Sequence, residues 1–349
     1  MSTPSQHPQV LAARNVVESL QQRFVTVLTQ AARGRFPDAP SFEPRPWLRD
    51  DGRHGGGTRY QTGSNKAFDR ASVNVSVVHY DDQPDRKLGA AVALSSIVHP
   101  RPPRAPSIHL HVSHTSLKEG RAYWRVMADL NPSLPLEPDT ARFREALAQS
   151  APAQAEAAFA QGDRYFWIDA LQRHRGVVHF YLEAFDTGDF EADRALAERV
   201  IGTAIDTYGS LLKQHLGDPV TEADRAAQLA YHTVYLFQVL TLDRGTTSGL
   251  MVHGDNDVGI LGSLPSHVDP AQLASYADRV PDVQRPLVEG LVAALPSEHP
   301  ASVTDAVKLA LAKTVRDHYR AHPEALRLQA AGNVLPPTVA NHARSERGE

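Results

Sequence analysis

The 349-residue chain contains no cysteine. That excludes disulfides, thiolate nucleophiles, iron–sulfur clusters and Cys-containing zinc sites, so any chemistry falls to other groups. Long apolar runs are missing too, and nothing approaches the roughly 20 apolar residues of a membrane-spanning helix. The opening MSTPSQHPQV has neither a basic start backed by an apolar stretch nor an arginine-rich amphipathic presequence, which makes a cytoplasmic location the expectation. Neither sign of charge dominates: 36 Lys and Arg stand against 40 Asp and Glu, for a net charge of -4. There is then no basic field for nucleic acid or an anionic membrane. Internal repeats and long low-complexity tracts are also absent.

What the chain does have is a run of strand patterns with their polar residues on one side. Within residues 88–132, Ile108, Leu110 and Val112 alternate with His109, His111 and Ser113. Next, Trp124, Val126, Ala128 and Leu130 alternate with Tyr123, Arg125, Met127 and Asp129. Because strand side chains point alternately to opposite faces, a sheet that buries the apolar rows presents His109, His111, Arg125 and Asp129 together. Residues 72–80, SVNVSVVHY, add a further strand.

Around these strands, residues 10–31 have the spacing of one helix face, and 36–57, rich in proline, glycine and charge, reads as a loop. GGGTR at 55–59 lacks the ending of a phosphate loop and reads as backbone permissiveness. Helix is predicted over 139–161 and, after a break at Gly162, through DRYFWIDAL. A strand follows at 175–185, with His179, Tyr181 and Glu183 on one face, and helices at 189–216 and 221–232. TVYLFQVLTLD, β-branched and aromatic, reads as a strand running into a turn at Asp243, Arg244 and Gly245. From 268 onward the pattern is helical pieces divided by prolines, with a polar, frayed end. Strands first and helices gathered later predict an α+β protein with a mainly antiparallel sheet.

The His109-x-His111 pair has the geometry to share a metal ion, with His99, His114 and His179 as further donors. Asp129 and Asp243 fall near strand ends, where a carboxylate either caps a turn or exchanges protons with a cationic or N–H-bearing substrate.

Taken in order, GGGTR, KAFDRASVNVS, SSIVHPRPPRAPSIHLHV, DLNP, LDRGTTSGL and ILGSLP, spread over residues 55–265, resemble the motifs of the oxygen-dependent coproporphyrinogen III oxidases. The resemblance implies a large, flat, mainly antiparallel sheet flanked by helices, a substrate cleft over it and a homodimer. It implies that two propionates of coproporphyrinogen III are decarboxylated to vinyl groups with molecular oxygen as co-substrate and no required cofactor, a divalent metal being the alternative, with His99 and His109 as its ligands. The family-like domain is expected over 1–267, with 268–349 a helical extension packed on it.

Carried over residue by residue, Ser95 and His99 match the family's VSLVxHP element, His109 its proton donor and Asp129 the DLTP aspartate that engages pyrrole N–H groups. Asp243 and Arg244 match YDRGT, and Gly254 the first glycine of a substrate-contacting GGR. His111 and Ser113 stand where the family has asparagine and arginine, while Asp255 and Asn256 replace the rest of GGR. Paired family histidines fall on Arg142 and Arg144, and another on about Ala170. Arg125, on the neighbouring strand, is the expected replacement for the cation missing at Ser113, with Arg142 and Arg144 as additional cations. The second expectation is a repurposed relative that binds a tetrapyrrole or another polycarboxylate without oxidising it.

Overall fold

The alternating segments build one sheet. The computed structural model describes residues 8–252 and 256–330. It opens with helix α1 (Pro8–Arg35), followed by strands β1 (Glu43–Leu48), β2 (Gly55–Thr62), β3 (Phe68–His79), β4 (Leu88–Pro100), β5 (Ser107–Leu117) and β6 (Ala122–Asn131). Helices α2 (Glu137–Ser150) and α3 (Ala155–Phe166) come next, then a two-residue pair, β7 (Trp167–Ile168) and β8 (Arg173–His174), and strand β9 (Val178–Phe185). The large sheet runs β1-β2-β3-β4-β5-β6-β9, antiparallel at every step, in agreement with the predicted α+β class.

One face of this sheet is core. Val73, Val92, Leu94, Leu110, Val112, Val126, Ala128 and Phe180 are buried against α1 and α4 (Phe190–His215). The opposite face is partly roofed by α5 (Glu222–Thr241), α6 (Arg244–Val252) and α7 (Asp257–Ile260). Behind α5 lie α8 (Pro270–Ala274), α9 (Arg285–Ala293) and α10 (Asp305–Ala321), with the short pair β10 (His267–Val268) and β11 (Ala301–Ser302). These join α5 in a second apolar cluster that includes Leu236, Leu240, Leu273, Leu287, Leu291 and Leu311.

Three expectations are corrected. TVYLFQVLTLD is not a strand but the second half of α5, which runs unbroken to Thr241. Its apolar and β-branched residues reflect burial on several sides, since every residue from Tyr231 to Thr241 is buried, and the hydroxyls of Thr233 and Thr241 bond back to the carbonyls of Leu229 and Phe237. The segment 36–57 is not all loop: β1 is an edge strand, the place in a sheet where Pro44 and Pro46 are tolerated. Paired with it, GGGTR opens β2. Gly57 leaves room for the Trp47 indole, which donates to Asn74 Oδ1 at 3.1 Å.

The third correction concerns Gly162, which does not break a helix; the chain breaks earlier, between α2 and α3. Gly162 sits inside α3 because a Cβ there would run into the carbonyl oxygen of His179 on β9. After Phe166 the chain turns into β7 rather than continuing helical.

Candidate active site

Cross-strand register sets the site. On the face away from α1, Ser72, Ile97, His109, Asp129 and His179 stand side by side across five strands. The next rung holds Asn74, Ser95, His111, Met127 and Tyr181, and the one beyond it Ser76, Ala93, Ser113 and Arg125. Above them lies a cavity of about 350 Å³, closed from the roof by Tyr235, Asp243, Arg244, Gly249 and Ile260 among others. That volume falls in the range typical of small-molecule sites.

Of the residues singled out from sequence, Ser95, His109, His111, Ser113, Arg125, Asp243 and Arg244 all line this cavity. Asp129 does not. It is fully buried behind the wall, in an ion pair with the equally buried Arg175. Arg175 also donates to Gln238 Oε1 at 2.6 Å and, through Nη2, to His109 Nδ1 at 3.2 Å. A guanidinium has no acceptor, so His109 Nδ1 must accept and the ring proton resides on Nε2. Burial, then the charge of Arg175, pushes the His109 pKa down to about 4. His109 is therefore a neutral N–H donor at ordinary pH, oriented from behind by the Asp129–Arg175 pair. His111, whose Nε2 lies 3.0 Å from Ser113 Oγ, is held at about 3 by burial and by Arg125.

Asp243 takes the capping role, and its second oxygen binds a tyrosine. Its Oδ2 accepts from Thr246 N at 2.8 Å, which caps α6, and its Oδ1 accepts from the Tyr165 hydroxyl at 3.0 Å. Burial and then Asp243 raise the Tyr165 pKa well above its usual value, so that phenol stays a donor.

His99 is placed elsewhere than expected for a metal ligand. It lies buried under α5, Nδ1 at 3.0 Å from Ser107 Oγ and Nε2 at 3.2 Å from the Ser263 carbonyl oxygen. With both nitrogens engaged it does not fit a divalent ion, and among the described residues no group of three or more His, Asp or Glu is arranged to hold one. Arg142 and Arg144 are corrected as well: both are exposed on α2, Arg144 over the Phe159 ring, and neither adds a cation to the cavity. Gly254 and Asp255 lie outside the described residues.

Sequence reasoning missed Arg175, Tyr165 and Tyr235. A signal for Arg175 was available: stepping the row of Glu183, Tyr181 and His179 back by twos reaches position 175. Its neighbour Gly176 has φ of 81°, and a Cβ there would lie 2.9 Å from Asp129 Oδ1, so the chain passes close behind the aspartate. Arg175 stacks between Phe166 and Tyr235, 4.5 and 5.1 Å from the ring centres.

Known proteins resemble this chain over most of its length. The family model described as coproporphyrinogen III oxidase matches residues 12–276. The chain is 25% identical over 294 residues to the mitochondrial oxygen-dependent coproporphyrinogen-III oxidase of Rattus norvegicus, covering 76% of this chain and 66% of that protein. It is 26% identical over 268 residues to the oxygen-dependent coproporphyrinogen-III oxidase of Rickettsia bellii (strain RML369-C), covering 73% of this chain and 94% of the relative. The corresponding protein of Rickettsia felis is 27% identical over 263 residues, covering 71% and 92%.

Proposed function

The chain belongs to the coproporphyrinogen III oxidase family, and from that membership we propose that it carries out the oxygen-dependent oxidative decarboxylation of coproporphyrinogen III to protoporphyrinogen IX, a step of haem biosynthesis. The observation that carries the proposal is that Ser95, His109, Asp243 and Arg244, up to 149 positions apart in sequence (244 − 95), line one cavity over the sheet. Each of the two propionates loses a hydride equivalent from the carbon next to the ring and its carboxylate as carbon dioxide, leaving a vinyl group. Molecular oxygen and one proton take up the hydride as hydrogen peroxide, and the electron-rich pyrroles supply the push, so no resident cofactor is required in this scheme.

In that chemistry two of the cavity's guanidiniums, Arg125 and Arg244, hold substrate carboxylates. Arg125 is the direct cross-strand partner of Ser113, so the cation lies one strand over at the same height. His109 offers its Nε2 proton to the substrate, and Asp129 acts through Arg175 to orient that ring. Asp243, held by Tyr165, faces the cavity as an acceptor for pyrrole N–H groups. No described helix is long and apolar enough to cross a membrane, and the chain is proposed to work in the cytoplasm as a homodimer, which sedimentation equilibrium checks. The deciding experiment mixes protein with coproporphyrinogen III without oxygen, admits oxygen, and separates the products after oxidation to porphyrins. Protoporphyrin, with a three-carboxylate intermediate before it, is the expected result; unchanged starting material beside an active reference oxidase overturns the proposal.

A further inference from the structure

A deeper inference rests on this function and concerns a carboxylate that the protein itself places in the cavity. Strands β6 and β9 lose register opposite Arg125: Trp124 pairs with Phe185, but Val126 pairs with Leu182. Glu183 and Ala184 together therefore oppose Arg125, which is a β-bulge. Ala184 takes φ of 54°, a left-handed conformation that a residue with a Cβ enters only under constraint. Had the alternation simply continued, Phe185 would follow Glu183 onto the cavity side. The extra residue sends Phe185 to the apolar core and leaves Glu183 as the last cavity-facing side chain of its strand.

Glu183 Oε1 lies 3.7 Å from Arg125 Nη2, with the two side chains 3% and 18% exposed. That is close enough for attraction and too far for a hydrogen bond. Arg125 Nε is buried without a hydrogen-bond partner among the described residues. A loosely held guanidinium beside a cavity is well suited to a carboxylate arriving from solution, which can bring two oxygens to the fork where Glu183 brings one at a distance. His111 and Ser113, next to it, add donors rather than a second competing anion.

We propose that Glu183 is an internal stand-in for a substrate carboxylate: it holds Arg125 when no ligand is bound, and an entering carboxylate displaces it. Glu183 thereby sets how tightly an entering carboxylate is held, because that carboxylate must displace it, whereas a ligand with no carboxylate at this position leaves the pair in place. It tunes the affinity of the binding site and takes no part in the oxidation.

The test uses the full chain and needs no turnover. Coproporphyrinogen III and its uncharged tetra-amide are each bound under anaerobic equilibrium dialysis to the wild type, Glu183→Gln, Arg125→Gln and the double variant. Glu183→Gln is expected to bind the tetra-acid on the order of tenfold tighter, as loss of a competing ion pair implies, and the tetra-amide no tighter. In the Arg125→Gln background the same change gives no tightening. Unchanged or weaker binding of the tetra-acid by Glu183→Gln, or equal tightening for the amide, overturns this proposal alone. Absence of binding to every variant overturns the porphyrinogen function and this proposal with it.

Discussion

The two faces of the seven-stranded sheet are made by the same strands yet obey different rules. On the α1 and α4 side, Val92, Leu94, Leu110, Val112 and Val126 have essentially no exposure, and close packing fixes their identity. On the other side, Ser95, His111, Ser113 and Arg125 occupy the alternate positions of the same strands and line the cavity with polar atoms. One period-two pattern thus writes a core and a site at once, and a residue's face predicts which property its replacement harms. Asp129 is the informative exception, because it stands on the polar face and is buried as deeply as any valine.

The exception is where the contrast breaks most. Asp129→Ala leaves Arg175 buried without its counter-ion and is expected to cost about 3–5 kcal/mol of stability as well as turnover. Urea unfolding with a product assay checks both, and Asp129→Ala combined with Arg175→Met should restore stability but not turnover. Leu110→Ala, on the core face, is expected to cost about 3 kcal/mol while turnover per folded molecule stays at the wild-type level. If turnover instead falls tenfold, the faces are not separable. Arg125→Gln on the polar face should raise KM for coproporphyrinogen III roughly ten- to a hundredfold, which steady-state kinetics reads directly.

The last effect is set by pH and is smallest near neutrality. His109 and His111 bind a proton near pH 6.5 in the unfolded chain but only at about 4 and 3 when folded. Their stabilising contribution is therefore complete above pH 6.5 and declines as pH falls through that window, by about 1.4 kcal/mol per pH unit for each histidine. His111→Asn should remove one proton's worth of slope from a plot of urea midpoint against pH; an unchanged slope would show that His111 titrates normally.

The face that builds the site was legible because alternation is local: His109, His111, Ser113 and Arg125 are read from runs of a few residues. Motif order then drew in Asp243 and Arg244, which no periodicity connects to the strands. Arg175 escaped because it lies three residues before its strand begins, and what fixes it, Asp129 and Gln238, is remote in sequence. The second half of α5 was misread for a related reason. A helix buried on several sides shows no polar stripe, so its β-branched and aromatic residues imitate a strand. Glu183 was visible as a cavity-facing residue, but the bulge that ends the alternation beside it left no mark in composition.

The proline-bearing strand β1 governs what the sheet can do beyond one molecule. It is an edge of the sheet with no further strand beside it among the described residues, and in an antiparallel ladder successive residues turn their N–H groups alternately toward the partner strand and away from it. Pro44 and Pro46 share one parity and have no N–H to offer, while every residue of β1 from Glu43 to Leu48 is paired to β2 on the other side. Two outward donor positions of a six-residue edge are thereby missing, so another chain that tries to extend the sheet finds an interrupted ladder. A seven-stranded sheet would otherwise offer this edge for growth by strand addition; at β1 that growth is disfavoured by two side chains that close back on their own backbone.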